Sequence, residues 1–329
     1  GFGMHMTQTA GLALAADRAT EETRPKVVAL LYVMNLVGMA FAAIIIGALL
    51  RDYSALRLVQ VVQGTAVVTL LLNLIALWKQ EKVKPMTKAQ REEASPTFRD
   101  AWNDLASGGD AGRLLAVVFI GTMAFNMQDV LLEPYGGEIL GLSVSATTLL
   151  TAMWAGGALI GFAFAARWLA GGLDPYRMCA RGMLAGILAF CAVIFSAPIG
   201  SPVLFYVGAA LIGFGGGLFG VSTLTAAMTM PTLGNAGRGL ALGAWGAAQA
   251  TGAGLSIFIG GTVRDLVNHA AGNGTLGEAL ATPATGYSVV YHTEIGLLFL
   301  TLIVLGPLVR LRPLTDGRSA KLGLADFPT

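Results

Sequence analysis

The sequence predicts an all-α polytopic membrane protein, a bundle of spanning helices built in two halves. Three observations carry that reading: an apolar composition, nine apolar stretches of spanning length, and basic residues confined to alternate connections. Hydrophobic residues make up 55% of the 329, charged residues only 12%, and 44 positions are glycine. That balance suits lipid better than water. The net charge of +2 conceals a very uneven distribution of Lys and Arg, and nothing in it points to a nucleic-acid partner.

A bilayer core about 30 Å thick is crossed by ~20 apolar residues in helical form, because every backbone polar group must be satisfied within its own segment. The stretches 1–16, 27–50, 57–78, 113–133, 145–167, 177–197, 203–230, 239–262 and 290–309 meet that condition. The chain opens at Gly1 inside an apolar, Gly-rich run, which reads as a piece of a longer protein. Residues 79–112 form the one long polar connection and hold most of the lysines. The expected organisation is therefore 1–78 as the C-terminal part of a first transmembrane half, 79–112 as a cytoplasmic linker, 113–312 as a second half of six helices, and 313–329 as a cytoplasmic tail.

Orientation follows from the basic residues, since cytoplasmic loops are enriched in Lys and Arg. Eighteen of the 21 lie in one set of connections, including Arg18, Arg24 and Lys26, the linker, Arg167 to Arg181, Arg238, and Arg310 onward. Only Arg51, Arg57 and Arg264 fall on the other side. The linker and C-terminus are accordingly expected in the cytoplasm.

An internal repeat supports the two-half reading. Gly1-Phe2-Gly3 recurs as Gly213-Phe214-Gly215, and with a two-residue slip Arg24, Asn35, Gly38 and Gly47 match Arg238, Gln249, Gly252 and Gly261. The first two segments then correspond to the seventh and eighth. Three helices are expected to be missing from the first half of a twelve-helix protein, the arrangement of the major facilitator superfamily. Within the linker, Ser95-Pro96 is a good helix start, and Phe98, Trp102 and Leu105 share a face, so a short amphipathic helix is expected over 96–106. Gly157 with Gly161, and Gly213 with Gly217, have the four-residue spacing that lets helix backbones approach closely. Cys179 and Cys191 are twelve residues, ~18 Å, apart on one helix, too far for a disulfide.

Ionisable or strongly polar side chains inside a bilayer are costly and become site candidates. His5 falls near the midplane of the first segment, with Gln8 and Thr9 on the same face. A neutral imidazole can ligate a metal, including the magnesium of a chlorophyll, relay protons, or simply bond a neighbouring helix. Asp129 and Glu133 are one helical turn apart near the non-cytoplasmic end of the fourth segment, followed by Pro134, Tyr135 and Glu138. Proton coupling, partner docking and helix termination are all compatible with that cluster. Trp154 and Trp245 are deep aromatic residues that either stack on a flat ligand or pack in the core. Gln249, like Asn35, is a mid-helix amide suited to interhelical hydrogen bonding. The sequence has no Gly-rich phosphate loop, no set of metal-spaced ligands and no nucleophile elbow, which argues against an enzyme.

The run from Met127-Gln128-Asp129-Val130 through Leu131-Leu132-Glu133-Pro134-Tyr135 to Gly136-Gly137-Glu138-Ile139-Leu140-Gly141 resembles the signature of the bacteriochlorophyll delivery family, the PucC and LhaA type of the major facilitator superfamily. So does Gly3-Met4-His5-Met6-Thr7-Gln8-Thr9-Ala10-Gly11. With the Arg18 to Arg24 loop and the linker helix, the resemblance covers essentially the whole chain. It implies a protein of the bacterial inner or intracytoplasmic photosynthetic membrane that assembles light-harvesting complexes. Its role would be to deliver or hold bacteriochlorophyll for newly inserted antenna polypeptides, with the reaction centre–core antenna complex as a further partner. His5 then becomes the candidate axial ligand to magnesium, with Gln8, Trp154 and Gln249 as pigment-binding candidates. Gln128, Asp129, Glu133, Tyr135 and Glu138 become candidates for facing a partner or the cavity. Two other readings stay open: a secondary transporter of a small solute, and a pigment-free structural partner of antenna complexes. The sparse intramembrane charge, with His5 nearly alone, weighs against the transporter.

Overall fold

A computed structural model describes residues 7, 10–12, 14, 15, 19, 23–49, 54–78, 99, 100, 102, 103, 109–230 and 238–310. His5 and Gln8 lie outside the described residues, as do Gly1 to Gly3 and most of the linker; residues 99, 100, 102 and 103 of the expected linker helix are helical. The long helices are α1 (Arg24–Leu49), α2 (Ala55–Leu77), α3 (Asp110–Asn126), α5 (Val144–Ala170), α6 (Pro175–Ile199), α7 (Pro202–Thr229), α8 (Arg238–Gly272) and α9 (Ala284–Arg310). A short helix, α4 (Leu132–Glu138), follows α3 after a 3-10 turn at Met127–Val130. Among the described residues there is no strand. Among the described residues six helices are long and apolar enough to cross a bilayer, and the chain is a multi-pass membrane protein.

Local signals explain where the helices begin. Ser54, Ser143, Asp174 and Ser201 cap α2, α5, α6 and α7, and Pro175 and Pro202 occupy the first helical positions of α6 and α7. A proline there loses no hydrogen bond, because that amide has no intrahelical acceptor. Between α6 and α7 the chain reverses through Gly200, whose φ of 65° is left-handed and suits a residue without Cβ. Arg24, one of the residues matched in the repeat, opens α1.

The packing centres on α7, which lies along both α5 and α6 and also meets α1; α3 packs on α8 and α9, and α6 on α9. The α5–α7 contact rests on the glycine spacing. A Cβ on Gly157 or Gly161 would strike the carbonyl of Ala210 or Phe214 on α7, and one on Gly213 or Gly217 would strike that of Trp154 or Ala158 on α5. Each helix thus presents two glycines to the other's backbone, and van der Waals contact between backbones supplies association where lipid offers no hydrophobic drive. By contrast, α2 has no buried residue along its length. Cys179 and Cys191 are free thiols.

Candidate functional site

A cavity of about 870 Å³ lies between the first segment, α1, α2 and α7. Thr7, Gly11 and Leu12 line it from the first segment, Leu31, Tyr32 and Asn35 from α1, Ala66, Thr69, Leu70 and Asn73 from α2, and Leu224 from α7. Its walls are mostly apolar with a few oriented amides and hydroxyls, the usual make-up of a ligand pocket of roughly 300–1,000 Å³. Asn73 donates its amide nitrogen to the Thr69 carbonyl at 2.8 Å, and Thr69 donates its hydroxyl to the Thr65 carbonyl at 2.8 Å. Assigning the amide from that bond leaves the Asn73 carbonyl oxygen as an acceptor in a cavity-lining side chain. Carbonyl oxygens of this kind are donors that suit a hard cation such as magnesium.

Tyr32 closes the inner wall of that cavity. Its ring stacks on Phe162 with centroids 5.1 Å apart, and its buried hydroxyl faces the Gln249 side chain without completing a hydrogen bond. Gln249 does not line the cavity, and neither does Trp154, which packs against the core of the bundle. Trp245 is a core residue, 1% exposed.

The acidic run adopts a different geometry from a single straight helix. After Asn126 the chain tightens into the 3-10 turn, and α4 then continues through Pro134 to Glu138. Asp129 sits in the 3-10 turn and Glu133 in the first turn of α4, so the two acids, four residues apart in sequence, belong to different elements. Glu133 accepts the Thr151 hydroxyl of α5 at 2.7 Å. Asp129 accepts the Gln128 amide at 2.6 Å, and Gln128, 2% exposed, also donates to the Phe125 carbonyl at 3.3 Å. α4 continues past Glu133, because a proline in the first turn of a helix costs it little.

Glu138 binds elsewhere again. It accepts the Tyr287 hydroxyl at 2.7 Å and the Arg264 guanidinium at 3.0 Å, and Arg264 reaches Tyr287 at 2.7 Å and Asp265 at 2.8 Å. Since Glu138 is half exposed, the ion pair ties α4 to α8 with a contribution on the order of 1 kcal/mol or less. Beneath it Tyr135 is buried, with Tyr287 and Tyr291 against it edge-on at centroid distances of 5.4 and 5.3 Å.

Sequence reasoning missed Glu294 and His292, both in the apolar stretch 290–309. Glu294 is 0% exposed, and neither carboxyl oxygen has a hydrogen-bond partner. His5 is thus not nearly alone as an intramembrane ionisable group. His292 lines a second cavity of about 740 Å³ beside the Leu276–Thr285 connection. Its Nδ1 lies 2.7 Å from the Ser288 carbonyl, which can only accept, so a neutral ring carries its proton there and leaves a lone pair on Nε2. The signal for both was present as Tyr291-His292-Thr293-Glu294, four polar-tipped residues in an otherwise apolar helix.

The fold and its intramembrane polar groups define a multi-pass helix-bundle membrane protein. A crystal structure of a bacterial homologue of the iron transporter ferroportin, in an outward-facing state, superimposes with a TM-score of 0.58 at 19% identity, over 94% of this chain and 70% of the other. That likeness concerns the fold. The family model described as PUCC protein matches residues 1–312, and the chain belongs to the PucC family. It is 61% identical over its whole length to an uncharacterized protein in the puhA-bchM intergenic region of Rhodobacter capsulatus, spanning 69% of that protein. It is 49% identical to protein PucC of Rhodovulum sulfidophilum over 81% of this chain, where it spans only 59% of the relative.

Proposed function

We propose that the chain serves in the assembly of photosynthetic light-harvesting complexes, holding bacteriochlorophyll and delivering it to newly inserted antenna polypeptides. The observation that supports this reading best is the cavity of about 870 Å³ between the first segment, α1, α2 and α7, in a member of the PucC family. Asn73 and Asn35 would offer oxygen ligands to magnesium from α2 and α1, His5 an imidazole from the first segment, and the leucines apolar walls for the macrocycle and tail. When bound, the magnesium would supply a coordination bond to these side chains. This chain's residues orient the pigment and shield it from water. We further place the linker and C-terminus in the cytoplasm, on the distribution of basic residues.

A strain lacking the gene is expected to make pigment but to accumulate less antenna, with the antenna quantified per cell by membrane absorption. A normal antenna level would sink the assembly role. The buried Glu294 favours a second reading, a secondary transporter, because intramembrane acids mark ion pathways. Solute uptake by proteoliposomes, unchanged antenna and colourless protein would together establish that alternative.

A further inference from the structure

We propose that Glu294 and Asp129 form a proton-binding pair in the bundle, with Glu294 holding the proton in a sealed position and Asp129 exchanging it with the surface. Glu294 lies in α9, which packs against the 3-10 turn, α3, α6 and α8. It is completely buried, and both carboxyl oxygens are without a hydrogen bond. Tyr291, almost one turn before it on the same helix, is also completely buried with an unpartnered hydroxyl. Two neighbouring buried polar groups, neither satisfied by protein, mark a position built for something small.

The surroundings decide what that is. The charged group acting on Glu294 is Asp129 of the 3-10 turn, and the Gln128 backbone amide approaches the carboxyl without closing a hydrogen bond. On its own helix, Tyr291 and then Tyr287 follow toward α4, where Tyr135 adjoins both. From α6 the ring against Tyr291 is Phe190, and the arginines of that helix, Arg177 and Arg181, sit in its first two turns. The ionisable residues of α3, Asp110 and Arg113, are in its first turn. On α8, Arg264 is engaged by Glu138 and Asp265, and His269 lies beyond it in the last turn. His292, two residues before Glu294, is exposed while Glu294 is buried, and among the described residues no basic side chain forms an ion pair with either acid.

A carboxylate anion sealed in such a place, facing a second carboxylate, carries a penalty of several kcal/mol. One proton removes it. A metal cation would require several oxygen ligands at once, and among the described residues no three His, Cys, Asp or Glu side chains gather. Asp129 is exposed at the edge of the bundle, and its carboxylate is bound by Gln128, the residue whose backbone amide approaches Glu294. The path from surface to interior thus runs past one residue. This inference stands apart from the pigment reading and holds whether or not pigment binds.

Infrared spectroscopy of the purified full-length protein reads the proton directly. A protonated-carboxyl carbonyl band is expected in the wild type, shifted down in heavy water and lost in Glu294→Gln. Asp129→Asn should keep the band and slow its deuterium shift at least several-fold. An unchanged band in Glu294→Gln would overturn the proposal, as would its removal from the wild type by sodium chloride but not choline chloride at fixed pH. Should Glu294→Gln not fold, the Asp129→Asn arm decides, and unaltered exchange there counts against the pair.

Discussion

Gly213→Val is expected to leave almost no folded protein in the membrane. A bare Cβ at this position already collides with the Trp154 carbonyl and crowds the Ala158 amide at 3.0 Å, and backbone cannot rotate aside as a side chain can. The branched side chain must push α5 from α7 along the contact that Gly157 and Gly161 make from the other side. Overpacking typically costs 1–3 kcal/mol where side chains can adjust. Here the obstacle is backbone on both helices, so about 3 kcal/mol or more is expected, a large share of a typical total stability of ~5–15 kcal/mol. Gly38→Ala supplies the control, since nothing lies within 4 Å of a Cβ there, and its effect should stay within about ±0.5 kcal/mol. Thermal unfolding and membrane abundance of the two variants check the contrast. Equal behaviour would show that the α5–α7 contact does not hold the bundle.

The second large effect concerns ligand content. Gly11 lines the cavity and a Cβ there meets nothing within 4 Å, so Gly11→Phe should fill the space without striking protein. Bound pigment per mole of folded protein is expected to fall sharply while thermal stability changes little. Asn73→Leu should remove the oxygen donor and leave the packing of α2 as it is, because no residue of that helix is buried. If that bond contributes ~1.4 kcal/mol, affinity drops about tenfold. His5→Leu makes a third arm: a pigment ratio unchanged there but lowered in Asn73→Leu would assign the ligand to α2 rather than to the first segment. Stability loss without pigment loss in all three would reduce the cavity to a packing feature.

Much of this architecture is legible in the residues themselves. The Asp174-Pro175 and Ser201-Pro202 pairs announce helix starts by capping and proline geometry, which are local and need no tertiary context. The glycine spacing on α5 and α7 is equally local, and the helices meet where it places them. Arg24 of the repeat alignment coincides with the first residue of α1. Other features depend on rotation and burial, which hydropathy does not encode. Glu294 escaped notice because α9 is apolar nearly all round, so nothing in its periodicity separates an inward face from a lipid-facing one. The partition of Asp129 and Glu133 between two elements depends on a 3-10 turn that no proline or glycine marks at residues 127–130. Asn73 gains interest only once α2 is seen beside α1, since its own helix contains no other cue.

Whether the bundle holds a magnesium tetrapyrrole, as proposed above, is read from the absorption spectrum of the full-length protein. The protein should be purified in mild detergent from a pigment-producing cell. The account requires bacteriochlorophyll bands that survive gel filtration with the protein and diminish in Gly11→Phe. A colourless wild-type protein, correctly folded and taken from a cell whose antenna depends on it, would contradict pigment holding.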